Sequence, residues 1–336
     1  MSRFLAPPPE RQLEPGPPPR FSVLVPAYNA AATIAEAVES ALGQTAPPHE
    51  VIVCDDGSTD DLEGALAPYR DRIVLVHKEN GGGASALNAA AAGASGDFLV
   101  VLDSDDAYLP TRLEAMGALA SARPDLDVLS TDALLEVDGR AVARFYTGAQ
   151  PFPAGRQREA ILDRCFLFAP AVRRDRLERI GGWDESIPIA YDWDCWLRLV
   201  LDGCAVGIVD EPLVRYRLRH GSLASRRAAA LRDRVVVLEK ARSHPTLTRT
   251  ERRLLEHSLR VKRRRALLAE AEAAVRGGDG ARRSTLALAA APGLPLATRA
   301  KALAAALFPA AARRRLEARE AQTGRSRLER PVPDGE

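Results

Sequence analysis

A chain of 336 residues, 46% hydrophobic and 27% charged, has ample apolar material for one large domain or two. No uninterrupted apolar run reaches the roughly 18 residues that a spanning helix needs, and Cys54, Cys165, Cys195 and Cys204 show no CxxC or metal-like spacing, reading instead as packing residues in a reducing compartment. The net charge of +2 conceals an asymmetry: residues 1–225 carry 21 Lys and Arg against 33 Asp and Glu, and residues 226–336 carry 26 against 12. An acidic front and a basic tail suggest two modules, the second attracted to an anionic surface.

Residues 1–19, interrupted by Pro7-Pro8-Pro9 and Pro17-Pro18-Pro19, read as a disordered leader rather than a secretory signal. A first strand is expected at 21–26, then a loop at Ala27-Tyr28-Asn29 and a helix over 32–42 capped by Asn29 or Thr33. Strands follow at 51–54, 73–77 and 98–102, separated by a helix over 60–69 and an alanine-rich helix over 84–92 that opens at Asn80-Gly81-Gly82-Gly83. This alternation with short connections predicts a doubly wound parallel sheet over residues 20–106. Beyond it the pattern predicts helices over 109–121 and 157–165, strands at 127–131, 133–137 and 166–173, and a helix over 192–201. Residues 228–320 read as mostly helical, broken at Gly277-Gly278-Asp279-Gly280 and at 292–295.

Two acidic clusters carry the chemistry. Val51-Ile52-Val53-Cys54 runs into Asp55-Asp56-Gly57-Ser58, and Phe98-Leu99-Val100-Val101-Leu102 runs into Asp103-Ser104-Asp105-Asp106. Such apolar runs are typical of strands buried on both faces, and their carboxyl ends are where open α/β sheets bind ligands. Three carboxylates within four residues repel one another unless a cation or a network of donors holds them, and Mg²⁺ or Mn²⁺ takes oxygen ligands. The pair of clusters points to metal-assisted handling of a phosphorylated ligand. The glycines before the 84–92 helix suit backbone N–H groups approaching a pyrophosphate, and the absence of a following Lys-Ser/Thr excludes a Walker A loop.

In order, Val23-Leu24-Val25-Pro26-Ala27-Tyr28-Asn29, Asp55-Asp56-Gly57-Ser58-Thr59-Asp60, Asn80-Gly81-Gly82-Gly83-Ala84-Ser85-Ala86-Leu87-Asn88, Asp103-Ser104-Asp105 and Gly181-Gly182-Trp183-Asp184-Glu185 with Tyr191-Asp192-Trp193-Asp194-Cys195-Trp196-Leu197-Arg198 resemble the motifs of glycosyltransferase family 2. The likeness covers about residues 20–225. It implies an α/β fold of the GT-A nucleotide-diphospho-sugar transferase type, with a mostly parallel Rossmann-like sheet and here an α-helical C-terminal extension. It implies a catalytic domain over 20–225, with a nucleotide-binding half at 20–106 and an acceptor-binding half at 107–225. A basic helical extension at 226–320 and a disordered tail at 321–336 would follow.

The resemblance also assigns roles. Pro26, Ala27 and Tyr28 would border the nucleobase and Asp56 would read it; Asn80 and Gly82 would lie close to the donor. Asp103, Ser104 and Asp105 would contact the nucleotide sugar, with Asp103 and Asp105 on Mn²⁺ or Mg²⁺ and Asp106 a further metal ligand. Asp192 would be the base of an inverting transfer, which needs one carboxylate to take the acceptor hydroxyl's proton. Tyr191 stands where the family usually has Glu. Trp183, Asp184, Tyr191, Arg217 and His220 would be candidates for contact with acceptor or diphosphate, the last two from Leu213-Val214-Arg215-Tyr216-Arg217-Leu218-Arg219-His220, which is similar to a further family motif. Bland readings stand beside these: Tyr28, Trp183 and Trp196 as core residues, Ser58 or Thr59 as a helix cap, Asp194 and Arg198 as a pair four apart on a helix.

The expected activity is transfer from a nucleotide-diphosphate sugar, with uridine favoured by the likeness, to a glycan, lipid-linked or small-molecule hydroxyl. A catalytically silent scaffold of the same fold and a sugar-nucleotide nucleotidyltransferase are the alternatives; the latter's G-x-G-T-R pattern is absent at the first strand. The basic tail, with Arg263-Arg264-Arg265, Arg282-Arg283 and Arg313-Arg314-Arg315, is expected either to touch anionic membrane through apolar stretches at 286–291 and 302–312 or to pack on protein. Nucleic-acid binding is not expected, since no aromatic interleaving accompanies the arginines. The expected location is cytoplasmic, or peripheral on the inner face of the cell membrane.

Overall fold

The computed structural model describes residues 3–9, 14–218, 227–277, 281–290 and 295–323. Strand β1 (Phe4–Leu5) lies inside the leader expected to be disordered, with Phe4 opposite Val209 and Leu5 opposite Ile208 in antiparallel pairing. Two apolar residues ahead of the first proline run are enough to use the unpaired backbone of a sheet edge.

The parallel nucleus forms where the apolar runs predict it. Strand β2 (Phe21–Ala27) pairs with β3 (Glu50–Asp55), and β3 with β4 (Val74–His77); on its other side β2 pairs with β5 (Phe98–Val101). Helices α1 (Ile34–Leu42), α2 (Leu62–Leu66, continued by a 3-10 turn at Ala67–Tyr69) and α3 (Gly83–Ala92) connect these strands. Alternate residues face opposite layers. Leu24, Ile52, Leu99 and Val101 pack toward Leu87, Trp183 and Trp193, while Val23, Val25, Val51, Val53 and Val100 pack toward Ile34, Val38 and Leu113. Both faces are therefore apolar, as a sheet covered by helices on each side requires.

The caps differ from expectation. No side chain caps α1: Thr33 precedes it without a capping bond, and Asn29, at φ 50°, accepts the Thr59 N–H instead. The cap of α2 is Asp61, which accepts the Gly64 N–H, and neither Ser58 nor Thr59 fills that place.

The second half completes the sheet. Strand β6 (Ala107–Tyr108) and helix α4 (Arg112–Ala122) lead to β7 (Val128–Val137), one continuous strand where two were expected. Asp132 interrupts the apolar run, yet it is fully buried; its carboxylate accepts the Ala133 and Tyr146 N–H groups and pairs with Arg144 on β8 (Arg140–Arg144). Helix α5 (Gln157–Asp163) ends two residues early, and the strand expected over 166–173 contracts to β9 (Ala171–Arg173). Helix α6 (Arg174–Arg179), helix α7 (Tyr191–Leu201) and strand β10 (Val206–Arg217) follow. The order is β1-β10-β7-β9-β5-β2-β3-β4, with β6 on β10 and β8 on β7; β9 runs antiparallel between β5 and β7.

Helices α8 (Arg227–Ala241) and α9 (Arg249–Gly277) pack on this body, sending Val237, Leu238, Leu255 and Leu259 into the same core as Trp193 and Trp196. The break between them, at residues 242–248, was not expected. Pro245 lies in it, and Thr248 and Glu251 form a reciprocal capping box: Thr248 N–H donates to Glu251 (2.8 Å) and Glu251 N–H to Thr248 Oγ1 (3.2 Å). Arg158 on α5 donates to both Glu251 oxygens, at 2.7 and 3.2 Å. Helices α10 (Ala281–Ala290), α11 (Leu296–Leu307) and α12 (Pro309–Thr323) complete the described chain. Among the described residues no helix is long and apolar enough to cross a membrane.

Candidate active site

The carboxyl ends of β2, β3 and β5 lie side by side: Ala27 pairs with Asp55, and the Leu102 N–H donates to the Leu24 carbonyl. Chain direction alone thus delivers Tyr28, Asp55-Asp56 and Asp103-Ser104-Asp105 to one rim. Tyr28 is 52% exposed and not core; Pro26 beside it is half-buried and Ala27 buried.

Asp56 is 2% exposed, and its carboxylate is held by three donors: Lys78 Nζ at 2.7 Å, the Gly81 N–H at 2.9 Å and the Gly82 N–H at 2.7 Å. The Asn80 amide donates to the Asp56 carbonyl at 3.0 Å. Asp56 therefore shapes the glycine turn, with two donors on one oxygen and one on the other, which leaves one acceptor site of the carboxylate unused by these contacts. Two N–H groups expected to face a pyrophosphate point at Asp56 instead. Lys78 is a site residue that sequence reasoning missed; its signal is its place just past the apolar strand and two residues before Asn80. Gly82, at φ +88°, adopts a conformation open to glycine, and a Cβ there would meet nothing within 4 Å, so its face is clear.

Asp55 is spent locally, accepting the Ser58 N–H at 2.9 Å and facing His77 Nδ1 at 3.3 Å. Burial works against its ionised form, but the Ser58 and His77 bonds outweigh it and hold the carboxyl below its usual range.

The second cluster divides by orientation. Asp103, Ser104 and Asp105 are half-buried with part of each surface open, whereas Asp106 is 1% exposed. Asp106 accepts the Arg217 N–H at 2.9 Å on one oxygen, and its other oxygen is buried without a partner. Arg217 also donates to the Asp105 carbonyl at 3.1 Å and pairs, with Arg215, on Glu36 of α1. Arg217 is thus committed to fastening β10 and α1 to the acidic loop. Burial pushes the Asp103 carboxyl up to about 7, with the charges of Asp105 and Asp192 adding to it. Burial first, then Asp103, raises Asp106 well above the usual carboxylate range.

Asp192 stands exposed in the first turn of α7, accepting the Trp193 N–H at 2.6 Å. Its influence on Asp103 places it within electrostatic reach of the second cluster. Tyr191 feels the same charges: burial, then Asp103, Asp192 and Asp105, raise its phenol. Tyr216 on β10 is raised by burial and by Asp106, Asp103, Asp105 and Asp192 in turn, so it borders the same cluster. It was quoted in a motif but not singled out.

The remaining candidates are structural in their observed contacts. Trp183 is buried edge-on to Trp196 at 6.1 Å, though its indole Nε1 has no partner. Asp184 accepts from Ser186 N–H and Oγ and pairs with Lys240 on α8. Asp194 and Arg198 form the expected pair at 2.7 Å, and Arg198 also holds the Ile180 and Gly182 carbonyls. His220 lies outside the described residues.

Among the described residues no three His, Cys, Asp or Glu side chains already converge as a closed metal site. The donor set nevertheless suits a hard divalent cation that draws its other ligands from a substrate: two half-buried aspartates, Asp103 and Asp105, with burial first and neighbouring charge second raising the Asp103 carboxyl to about 7. Asp106 lies beside them more deeply buried, with one oxygen on the Arg217 N–H and the other without a partner. A cavity of about 370 Å³, lined by Gln157, Arg158, Cys204 and Glu251 among others, shares no residue with this cluster.

Comparisons with known proteins agree with this geometry. A family model described as glycosyl transferase family 2 matches residues 22–170. TuaG of Bacillus subtilis (strain 168), a glycosyltransferase named for teichuronic acid biosynthesis, is 30% identical over 231 residues, covering 67% of this chain and 90% of that protein. An uncharacterized glycosyltransferase of Rickettsia typhi is 28% identical over 190 residues; the chain spans 59% of its length, and only 31% of a Rickettsia felis relative. Among solved structures, S. aureus TarS 1-349 in complex with UDP superposes with a TM-score of 0.57 at 18% identity, over 91% of this chain and 92% of that one. A mannosyltransferase of Pyrobaculum calidifontis in complex with GDP-Man and Mn²⁺ gives 0.58 at 21% identity, over 92% and 91%. These likenesses establish the GT-A fold.

Proposed function

The chain belongs to glycosyl transferase family 2, and from that premise we propose that it moves a sugar from a nucleoside-diphosphate donor to an acceptor hydroxyl with inversion, using Asp192 as the base. The observation that carries this reading is the packing of Tyr191, next to Asp192 on α7, against Gly83 of the glycine turn, with the charge of Asp192 felt at Asp103 at the end of β5.

In the proposed reaction the Asp192 carboxylate takes the proton of the acceptor hydroxyl. The acceptor oxygen bonds to the anomeric carbon as the bond from that carbon to the diphosphate breaks, and direct displacement inverts the configuration. Asp103 and Asp105 would hold Mn²⁺ or Mg²⁺, which when bound neutralises charge on the departing diphosphate. Asp106 and Arg217 keep the acidic loop in register with β10, and the Asp56–Gly81–Gly82 contact keeps the glycine turn in place. The exposed Tyr28 offers a ring for the nucleobase. The structural neighbours bear uridine and guanosine nucleotides, and uracil remains the favoured base. The acceptor class we propose is a glycan, lipid-linked or small-molecule hydroxyl.

Replacing Asp192 with Asn tests the assignment: transfer should fall by orders of magnitude with nucleotide affinity preserved, and near-normal turnover would refute it. A member that binds nucleotide sugar without transferring it is the second reading, favoured by Tyr191 in place of an acidic residue. Donor binding by the wild type without transfer to any acceptor would select it.

A further inference from the structure

Helix α11 is packed the wrong way round for a helix whose only partner is protein. It buries two small residues, Ala302 (5% exposed) and Ala306 (4%), the former against Ala271 and Leu288. It turns its large residues outward: Leu296 is 81% exposed, Leu303 47% and Leu307 61%, with Phe308 just beyond at 66%. Leu296, Ala300, Leu303 and Leu307 are all exposed and follow the spacing i, i+4, i+7, i+11, which places them on one stripe of the helix. A contiguous exposed apolar face of this kind marks an interaction surface.

The charge around the stripe identifies the partner. Residues 281–316 contain seven cationic side chains, Arg282, Arg283, Arg299, Lys301, Arg313, Arg314 and Arg315, and no Asp or Glu. All seven are exposed. Arg299 and Lys301 flank the stripe on the helix itself, and the arginine triplet follows on α12 within two turns of Phe308. A second copy docking face to face would set like charge against like, which disfavours self-association through this surface. An apolar stripe whose charged neighbours among the described side chains are all cations matches the boundary between headgroups and acyl chains of an anionic bilayer.

We propose that the α11–α12 face docks on an anionic lipid bilayer, inserting Leu296, Leu303, Leu307 and Phe308 below headgroups that Arg299, Lys301 and Arg313-Arg314-Arg315 contact. This surface is distinct from the candidate active site and stands or falls independently of the proposed transfer reaction.

The test is co-sedimentation of the full chain with phosphatidylcholine vesicles, with and without phosphatidylglycerol, at low and high salt. Protein should pellet with the phosphatidylglycerol vesicles only, and less at high salt. Leu303→Ser with Leu307→Ser should weaken binding by about tenfold or more, while Arg313→Gln, Arg314→Gln and Arg315→Gln together should weaken it by a factor on the order of a hundred. These positions are exposed, so folding should be undisturbed, and an unchanged circular dichroism spectrum and thermal midpoint check this. As a second readout, Phe308→Trp should give an emission blue shift on adding anionic vesicles. Wild-type protein that stays in solution with those vesicles, or a serine pair that binds like wild type, would overturn the proposal. So would a dimer in sedimentation velocity that Leu303→Ser dissociates, since the face would then belong to a second copy.

Discussion

The Tyr191 hydroxyl occupies the space that a side chain at Gly83 would need: a Cβ there would stand 2.5 Å from that oxygen and 2.8 Å from the ring carbon bearing it. Tyr191 opens α7 and Gly83 opens α3, so this contact joins the helix that carries Asp192 to the glycine turn that Asp56 holds. The departure from the family's usual acidic residue is thereby accommodated by the third glycine of Asn80-Gly81-Gly82-Gly83, and the substitution at 191 and the glycine at 83 form one unit.

Gly83→Ala should therefore destabilise the protein by about 1–3 kcal/mol, the usual cost of forcing a methyl group into a packed contact. In a Tyr191→Ser background the same change should cost less by about 1 kcal/mol or more, read as a coupling energy from urea unfolding of the four variants. Equal costs in both backgrounds would mean that the two residues are not in obligatory contact.

Asp56→Ala should leave the Gly81 and Gly82 N–H groups without their acceptor, and the Lys78 ammonium without its carboxylate partner though still on the Glu79 carbonyl. A loss of about 1–3 kcal/mol is expected, with faster amide hydrogen exchange at Gly81 and Gly82 and weaker nucleotide binding. Unchanged exchange at those two amides would show that the turn is held by something else.

The parallel nucleus was legible because Val51–Cys54 and its counterparts are apolar on both faces, a pattern few other elements produce. Reading failed where tertiary partners override local chemistry. Asp132 in mid-strand suggested a break, but Arg144 and two backbone N–H groups satisfy it within an unbroken β7. Strand β10 went unseen because Asp210-Glu211-Pro212 interrupts its pattern; the structure absorbs them as register shifts on either side of Pro212. In the site, the motifs located the right loops but not the orientation of their side chains. Asp103, Asp105 and Asp106 look alike in sequence, and only the arrival of the Arg217 N–H from β10, over a hundred residues later, separates Asp106 from the other two. The break before α9, like Lys78, was a miss whose signal was present, here in Pro245 and the Thr248–Glu251 box.

Glu251 supplies a pH signature for the docking of the helical extension. Its hydrogen bonds from Arg158, aided by Thr248, outweigh burial and bring its carboxyl down to about 2 from an ordinary value near 4.5. A carboxylate lowered in the folded state contributes fully above its unfolded value and loses that contribution as pH falls through its folded value. Glu251→Gln should therefore cost on the order of 2 kcal/mol at neutral pH, with the deficit shrinking between about pH 4.5 and pH 2. Urea unfolding of both proteins across that range checks it, and a deficit independent of pH would remove the ionised pair from the account.

The central claim is a metal-dependent site for a nucleotide sugar at Asp103 and Asp105. Calorimetric titration with UDP, GDP and dTDP, each with and without Mn²⁺, tests it most directly. One nucleotide, with UDP favoured, should bind in the presence of metal and weakly or not at all without it, and Asp105→Ala should abolish the metal's effect. Folded protein that binds none of the three, or binds equally well without metal and after Asp105→Ala, would contradict the account.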